Sequence, residues 1–292
     1  MRDGNKIFVR IYGGLGNQMF QYAAGLGVAK RAGLPLVLDT RHHRKPSDFP
    51  FGLTHFKTSA AIGTDATLPP GRQNPVQYLL WRQFGSKPKF TRERGLGFNT
   101  SISDISKPSY LQGYWQSERY FADIEGGVRK EFEFAVPASP KNKEWRSLIE
   151  AGPSVSLHVR RGDYVRDPLI NAAHGTCSLE YYSNAIKVLR ERLGTRFSIF
   201  VFSDDTGWAK ENLRFDFPTH VVDTNDTATN YEDMRLMASC DHHIIANSSF
   251  SWWGAWLNPS KSKQVIAPKR WFREVAMNNP DILPKSWLAI DS

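Results

Sequence analysis

Two hydrophobic patterns alternate along the chain, and together they predict an α/β protein. Short runs of β-branched and aromatic residues that end at glycine or at a polar residue predict strands. Longer segments with apolar residues three and four positions apart predict helices. The predicted strands are 6–12, 36–38, 155–159, 197–202, 220–222, 243–246 and 264–267, and the predicted helices are 18–31, 179–193, 208–213, 231–239 and 250–257.

The order of these elements predicts two Rossmann-type domains that face each other across a cleft. Residues 6–38 form a strand, a glycine turn, a helix and a strand, which is the first βαβ unit of a doubly wound sheet. The alternation after residue 153 predicts a second parallel sheet with helices on both faces. Residues 40–109 have a weak pattern, which indicates irregular structure with two short helices. We expect domains at 1–150 and 151–292, with the last segment able to pack back on the first domain.

Composition excludes several classes of protein. A chain of 292 residues with 40% hydrophobic and 13% aromatic residues is neither disordered nor collagen-like. Cys177 and Cys240 are too few for a disulfide framework or a zinc site. The polar N-terminus and the short apolar runs predict a soluble protein without a signal peptide or membrane anchor. The net charge of +9 favours an anionic partner, namely nucleic acid, an anionic membrane or a phosphorylated substrate.

Candidate chemistry lies where predicted strands end, because ligands of open parallel sheets bind beyond the carboxyl ends of the strands. Gly13, Gly14 and Gly16 follow the first strand and precede a helix, whose free N–H groups can meet an anion. Arg160 and Arg161 follow the first strand of the second half. Guanidinium groups bind phosphate oxygens bidentately, so this pair suits a diphosphate.

Two further strand ends of the second half carry polar residues. Asp204 and Asp205 follow one strand, where they can bind a base or ribose or cap the next helix. Residues 247–251, Asn-Ser-Ser-Phe-Ser, follow another strand and begin a helix, where they cap it or donate to a phosphate. One sheet edge therefore combines arginines, carboxylates and a serine-rich helix start, which predicts a phosphate-containing ligand.

Each of these signals also has a structural explanation. The glycines can form a tight turn, and they do not match the G-x-G-x-x-G pattern of dinucleotide sites. Arg160 can pair with Asp163 and pin the turn, while Trp252 and Trp253 are more typical of a core than of a stacking platform. The chain has no Asp-x-Asp motif, which favours charge neutralisation by arginine over a divalent metal.

Longer motifs carry a resemblance to a known family. They are residues 13–22 (GGLGNQMFQY), 113–117 (GYWQS), 158–164 (HVRRGDY), 202–205 (FSDD) and 247–256 (NSSFSWWGAW). In this order the chain resembles the bacterial α-1,2-fucosyltransferases, which depend on GDP-L-fucose. The matches run from the first strand to about Leu257.

The resemblance implies a GT-B-like fold, with the donor held mainly by the C-terminal domain and the acceptor on the side of the N-terminal domain. It implies an inverting, metal-independent transfer of L-fucose from GDP-β-L-fucose to the 2-hydroxyl of a terminal β-galactose, with no cofactor. It also implies a bacterial, cytoplasmic enzyme that builds glycans such as the O-antigen of lipopolysaccharide. The basic charge favours peripheral association with an anionic inner membrane.

Residue roles are carried over by motif. Arg160 is expected to contact the diphosphate and to act in catalysis, and Asp204 or Asp205 to recognise the nucleoside. Asp163 or Asp167 is a candidate base, and a dissociative transfer without a dedicated base is the alternative. The other donor-binding candidates are His158, Asn247, Ser248, Ser249, Phe250, Ser251, Gly14, Gly16 and Asn17, and the acceptor-side candidates are Gln18, Trp115 and Asp167.

Two alternative functions stay open at this point. A fucosyltransferase of another linkage, such as α-1,6 to a chitin-type oligosaccharide, would share the donor motifs. A basic nucleic-acid-binding protein would explain the charge, although the chain lacks the signature of an RRM, KH, helix-turn-helix or zinc-finger module.

Overall fold

The structure is a computed structural model that describes residues 5–44, 49–70, 75–84 and 87–292. The chain divides into two compact units, residues 1–135 and 136–292. Each unit contains one parallel β-sheet, so the predicted α/β class with two Rossmann-type sheets is confirmed. Residues 1–4, which belong to the polar N-terminus discussed above, lie outside the described residues.

The first unit has a five-stranded sheet of order β3-β2-β1-β5-β4, in which all the paired strands are parallel. Its strands are β1 (Ile7–Arg10), β2 (Leu36–Asp39), β3 (Ala61–Ile62), β4 (Lys89–Arg92) and β5 (Ser109–Gln112). Its α-helices are α1 (Leu15–Ala32), α2 (Pro75–Phe84), α3 (Thr100–Ser103) and α4 (Glu125–Glu131).

Helix α1 packs on this sheet through a glycine. A Cβ atom at Gly25 would lie 2.3 Å from Cγ2 of Val9 in β1, so a side chain there would push the helix away from the sheet. Most of the eighteen residues of α1 are buried, which agrees with the long helix predicted from residue 18 onwards. This close packing determines where the turn between β1 and α1 lies.

The second unit has a six-stranded parallel sheet of order β11-β10-β9-β6-β7-β8. Its strands are β6 (Ser154–Val159), β7 (Ser198–Ser203), β8 (Thr219–Val222), β9 (His242–Ile244), β10 (Val265–Pro268) and β11 (Leu288–Ile290). Its α-helices are α5 (Pro140–Glu150), α6 (Gly162–Arg166), α7 (Pro168–His174), α8 (Leu179–Leu193), α9 (Thr206–Asn212), α10 (Asn230–Ser239) and α11 (Ser249–Leu257).

The core of the second unit lies on both faces of its sheet. Along β7, Ile199 and Val201 pack in one apolar cluster with helix α8, whereas Phe200 and Phe202 pack in another with helix α10. This alternation follows from the two-residue period of a strand. All six residues of β6 are buried, as expected for a central parallel strand covered by helices on both faces.

The boundary between the units precedes helix α5, whereas the sequence places it at 150/151. Ile149 of α5 belongs to the cluster that contains Phe200 and Phe202, and Trp145 packs against it. Helix α5 is therefore part of the second unit. The last strand, β11, pairs with β10 and extends the same sheet.

Four strands have no counterpart among the predicted elements: β3, β4, β5 and β11. Strand β3 has only two residues, Ala61 and Ile62, and β4 reads KFTR, so neither carries an apolar run long enough to predict a strand. Helices α2 and α3 agree with the two short helices expected between residues 40 and 109. In the described part of the chain, no helix has both the length and the apolar character needed to cross a bilayer.

A buried histidine in β9 is held in one neutral form. Nε2 of His243 accepts a hydrogen bond from Nδ2 of Asn258 at 2.9 Å, and Nδ1 lies 2.8 Å from Oγ of Ser156. Because Nε2 accepts, the ring proton lies on Nδ1 and is donated to the serine. Burial, with a smaller contribution from the Lys263 ammonium, lowers the pKa of His243 to about 3.

We predict that this histidine makes the folded protein less stable in mild acid. The unfolded chain takes up a proton at its ordinary pKa, near 6.5, whereas the folded chain does so only near pH 3, so stability decreases as the pH falls below about 6.5. In His243→Gln, the loss of unfolding free energy between pH 7.0 and pH 5.5 should be about 1 kcal/mol smaller than in the wild type. Urea unfolding at both pH values measures it. The partly exposed His220→Gln is the control, and an equal loss in wild type and His243→Gln would contradict the assignment.

Candidate functional site

Strand order gives each sheet a switch point, where ligands of open parallel sheets bind. In the second sheet, the chain runs from β6 to β7 and β8 on one side and then continues with β9, β10 and β11 on the other. In the first sheet, β2 and β3 lie on one side of β1, and β5 and β4 lie on the other. The topology therefore favours sites beyond the ends of β6 and β9 and beyond the ends of β1 and β5.

Arg160 follows β6, and its guanidinium lies between two carboxylates. Nη2 donates to Oδ1 of Asp163 at 2.6 Å, and Nη1 lies 3.0 Å from Oδ2 of Asp204. The Tyr164 ring lies beside the same guanidinium, 5.3 Å from its central carbon. The two carboxylates hold the guanidinium in one orientation. Because a guanidinium carries five N–H donors, Arg160 retains donors for a further anion.

The neighbouring arginine supports the end of β7. The backbone N–H of Arg161 donates to Oδ1 of Asp204 at 2.8 Å, and its guanidinium pairs with Asp205 at 3.3 Å. The guanidinium also lies over the Trp208 ring, 4.0 Å from its centre. Asp205 accepts from the Trp208 amide and so caps helix α9. At Gly162, a Cβ atom would lie 2.5 Å from Oδ2 of Asp204, so a side chain would displace that carboxylate.

The serine-rich helix start meets the arginine turn. Ser248 caps α11 by accepting from the amide of Phe250 at 3.3 Å. The hydroxyl of Tyr164 donates to the carbonyl of Asn247 at 3.3 Å, and the rings of His158 and Phe250 lie 5.7 Å apart. The structure therefore brings the motifs 158–164 and 247–251 together at the switch point.

The other polar groups of this helix start are held within the loop. The side-chain amide of Asn247 donates to the carbonyls of His174, Gly175 and Trp271. Ser251 donates to the carbonyl of Ser248 at 3.3 Å. Ser249 begins α11, next to the cap. These bonds fix the direction in which the first turn of α11 presents its backbone N–H groups.

His158 lies beneath the arginine turn as a buried, neutral ring. Burial is the largest influence on its pKa, which is lowered to about 4 even though the Asp204 carboxylate acts in the opposite direction. Its Nδ1 atom is buried and has no hydrogen-bond partner among the described residues. The site therefore contains a polar ring that adds no positive charge at neutral pH.

A cavity of about 280 Å³ opens beyond the ends of β9 and β10. His174 lines it and stacks on Tyr164 with the ring centres 4.7 Å apart, so the cavity adjoins the arginine turn. Two arginines that the sequence motifs did not single out, Arg270 and Arg273, also line it. Arg270 follows β10 closely, so the rule of searching strand ends would have found it. The other lining residues are Asn171, Gly175, Thr176, Cys177, Asn247 and Ser292.

At the switch point of the first sheet, the glycine turn meets the 113–117 segment. Gly14 caps α1, and Gly16 and Asn17 lie in its first turn. Nε2 of Gln116 donates to Oδ1 of Asn17 at 2.8 Å. The rings of Tyr12 and Tyr114, which follow β1 and β5, lie 5.0 Å apart. Two motifs that are far apart in sequence thus form one edge.

A partly buried glutamate shapes this edge. The Glu93 carboxylate accepts from the backbone amides of Tyr114 at 2.6 Å and of Trp115 at 2.9 Å. Trp115 has a φ of +56°, which is unusual for a residue other than glycine. Burial raises the pKa of Glu93, and the two amide bonds oppose that rise. The glutamate holds the turn that exposes Tyr114.

The three acceptor-side candidates have structural contacts in this structure. Gln18 is fully buried, and its amide bonds three backbone groups of the surrounding loops. Trp115 is 1% exposed. Asp167 caps helix α7 through the amides of Leu169 and Ile170. Contact of these residues with an acceptor stays a prediction.

Each of the three carboxylates at the second edge is in an ion pair with an arginine. Asp163 and Asp204 pair with Arg160, and Asp205 pairs with Arg161. Within the described ranges, no group of three or more His, Cys, Asp or Glu side chains is arranged to hold a metal ion. The edge therefore presents arginine and helix N–H donors, a combination suited to phosphate oxygens.

Comparison with known proteins places this arrangement in context. The chain is 33% identical to an α-1,2-colitosyltransferase of Escherichia coli, over 98% of this chain and 99% of that protein. It is 40% identical to the E. coli O-antigen biosynthesis glycosyltransferase WbnK, over 50% of this chain and 45% of that protein. It is 23% identical to a galactoside 2-alpha-L-fucosyltransferase of Bos taurus, over 98% of this chain and 74% of that protein.

Solved structures share the fold at low sequence identity. The fucosyltransferase NodZ from Bradyrhizobium superposes with a TM-score of 0.51 and 14% identity, over 88% of this chain and 94% of that chain. NodZ α-1,6-fucosyltransferase soaked with GDP-fucose gives 0.50 and 13%, over 91% and 95%. The GT-B-like fold that the motifs implied is thereby confirmed. The model of Glycosyl transferase family 11 matches residues 3–291, and the chain belongs to this family of glycosyltransferases.

Proposed function

We propose that the protein transfers L-fucose from GDP-β-L-fucose to the 2-hydroxyl of a terminal β-galactose, with inversion and without a divalent metal. The observation that carries this proposal is the Arg160 guanidinium, held at the switch point of the second sheet beside the start of α11. The names of the relatives support the chemistry, because they include an α-1,2-colitosyltransferase and a galactoside 2-alpha-L-fucosyltransferase.

The donor diphosphate is assigned to the edge formed by β6 and β9. The free N–H donors of Arg160 and the N–H groups in the first turn of α11 provide fixed, positively polarised partners for the diphosphate oxygens. Arg270 and Arg273 add positive charge in the adjoining cavity. Asp204 and Asp205 are assigned to the nucleoside, and their bonds to Arg160 and Arg161 fix the positions of their carboxylates.

The same groups suit the charge that develops during transfer. Cleavage of the bond between fucose C1 and the phosphate oxygen leaves the electron pair on GDP, while the sugar becomes oxocarbenium-like. Preorganised donors stabilise the leaving phosphate without having to reorient. Inversion requires the acceptor hydroxyl to attack the opposite face of the sugar. Because Asp163 is engaged by Arg160 and Asp167 caps α7, we favour a dissociative transfer without a dedicated carboxylate base, in which the acceptor hydroxyl releases its proton to solvent as the new C–O bond forms.

The acceptor galactose is assigned to the edge of the first sheet. Tyr114 is exposed there, and its ring lies next to that of Tyr12. The flat face of an aromatic ring packs well against the C–H face of a pyranose. The bonded pair Asn17 and Gln116 holds the two loops that carry these rings. This assignment agrees with the acceptor role that the resemblance gives to the first domain.

A second donor is favoured by one observation. The relative that matches 98% of the chain at 33% identity is an α-1,2-colitosyltransferase. Colitose is L-fucose without its 3-hydroxyl, so the two donors differ by one polar group. A site that bonds that hydroxyl rejects the deoxy sugar strongly, whereas a site with an apolar contact does not.

The first test of the function is a transfer assay. Purified protein is given GDP-L-fucose or GDP-colitose together with a panel of β-galactosides, and the linkage of the product is determined by NMR. We expect an α-1,2-fucosylated galactoside to form faster than the colitosylated one. A clear preference for GDP-colitose would show that colitose is the transferred sugar, and the proposed class of reaction would stand. An α-1,6 product would overturn the linkage, and the absence of transfer and of GDP-fucose binding would overturn the function.

We predict that Arg160→Ala leaves a folded protein whose rate of transfer is reduced on the order of 10²–10³-fold, because the charge on the leaving group loses its fixed partner. Arg160→Lys keeps the charge but not the bidentate geometry, so its rate of transfer should lie between those of the wild type and of Arg160→Ala. Arg146→Ala removes another ion-paired arginine of the same unit, which bonds Glu150 at 2.7 Å, and should behave as wild type. Wild-type turnover in a folded Arg160→Ala protein would refute this role.

We predict that transfer is unchanged when EDTA replaces added Mg²⁺ or Mn²⁺. The reason is that every carboxylate at the donor edge is already paired with an arginine and so is not offered to a metal, while Arg270 and Arg273 add positive charge for the diphosphate in the adjoining cavity. Initial rates with EDTA, with Mg²⁺ and with Mn²⁺ provide the measurement. Strict dependence on an added divalent ion would show that the arginines are insufficient.

A further inference from the structure

Helix α2 turns an apolar stripe towards solvent. Val76, Leu79 and Leu80 are 66%, 57% and 57% exposed, and their spacing places them on one face of the helix. A surface helix of a globular protein normally turns such a stripe towards the core. On the other side of α2, the partly buried Trp81 packs against Phe90 of the edge strand β4, with the ring centres 6.3 Å apart. The helix is thus attached to the sheet with its aliphatic residues facing outwards.

The edge strand next to helix α2 carries a further exposed apolar side chain. Phe90 is 58% exposed, although it stacks on Tyr110 with the ring centres 4.9 Å apart. We define the α2 surface as Val76, Leu79, Leu80 and Phe90. Large apolar residues exposed singly are ordinary, but three of them on one face of a helix, with a fourth on the adjacent strand, are an exposure of the kind that binds a partner.

The sequence that carries the α2 surface is basic. Residues 75–94 contain five lysines and arginines and a single acidic residue, Glu93. The Glu93 carboxylate is directed at the backbone amides of Tyr114 and Trp115. Lys87 and Lys89 are exposed, and no ion pair of either with a carboxylate occurs among the described residues. The patch therefore combines exposed aliphatic side chains with a strong local excess of positive charge.

We propose that the α2 surface docks the protein on an anionic lipid bilayer. A helix with an apolar face and flanking lysine and arginine residues lies in the plane of the interface, with its apolar side chains at the boundary of the acyl chains. The basic residues then meet lipid phosphates, at about 1 kcal/mol per charge near the surface. Ten residues are too few to span a bilayer, so the attachment is peripheral.

Charge also decides against a second copy of the chain as the occupant. In a two-fold dimer the same patch lies on both subunits, so the basic residues of one would face those of the other. Like charges in contact oppose association, whereas an anionic bilayer complements them. The net charge of +9 acts in the same direction over the whole molecule.

The experiment is co-sedimentation with vesicles of phosphatidylcholine alone and of phosphatidylcholine with phosphatidylglycerol at a ratio of about three to one. The wild type should bind the anionic vesicles and should be released in about 1 M NaCl, where charges are screened beyond roughly 3 Å. Leu79→Asn/Leu80→Asn should weaken binding at least about ten-fold. Lys87→Glu/Lys89→Glu should abolish it. Vesicle binding needs neither donor nor acceptor, so the outcome is independent of the transfer reaction.

Matched variants in the second unit provide the controls. Leu148→Asn/Leu179→Asn replaces two exposed helical leucines, and Lys143→Glu/Lys187→Glu reverses the charge of two exposed lysines, one in α5 and one in α8. Both variants should bind as wild type. Circular dichroism and thermal unfolding verify that every variant folds.

Three results would overturn the proposal. The wild type would not bind vesicles, it would bind neutral and anionic vesicles equally well, or the α2 variants would bind as well as the control variants. A wild-type dimer in analytical ultracentrifugation that becomes monomeric in Leu79→Asn/Leu80→Asn would assign the surface to a second copy instead.

Discussion

The ion pairs of Arg160 with Asp163 and Asp204 are the interaction on which the candidate site depends. Strand β6 is buried on both faces, so its end is rigid, and the two carboxylates then leave the guanidinium one orientation. Asp204 also accepts from the Arg161 amide, which joins the end of β6 to the end of β7. His158 beneath them is neutral because it is buried. The buried core of the second sheet thereby holds the positive charge of Arg160 at a defined position.

More strands of the second sheet than of the first could be predicted from the sequence. Strand β7 contains the apolar run IFVF, and in β6 valine and leucine alternate with serine and histidine, so both are recognisable as strands. The helix α8 between them has clear periodicity. Strand β4 carries lysine, threonine and arginine on an exposed edge, so no apolar run marks it. The boundary at α5 could not be located either, since the packing of Ile149 on Phe200 is a contact between distant segments.

The candidate site, too, could be predicted only in part from the sequence. Strand-end reasoning found Arg160, Asp204 and the α11 start, because topology brings the ends of parallel strands to one edge. It left open whether the aspartates bind a nucleoside or cap the next helix, and it did not indicate that Gln18 is held by three backbone groups, since those bonds depend on loop conformation. Arg270 and Arg273 belong to no motif, and the neighbouring cavity reveals them. The sequence therefore predicted which strand ends form the candidate site. It predicted less well which groups each side chain there contacts.

The central claim is that the edge formed by β6 and β9 binds the GDP part of the donor. Hydrogen–deuterium exchange with and without GDP tests it most directly, because it reports backbone protection segment by segment without requiring turnover. We predict slower exchange at residues 159–164 and 246–251 when GDP is bound, with little change along helix α2. Protection confined to the first sheet, or unchanged exchange at both segments under saturating GDP, would contradict the account.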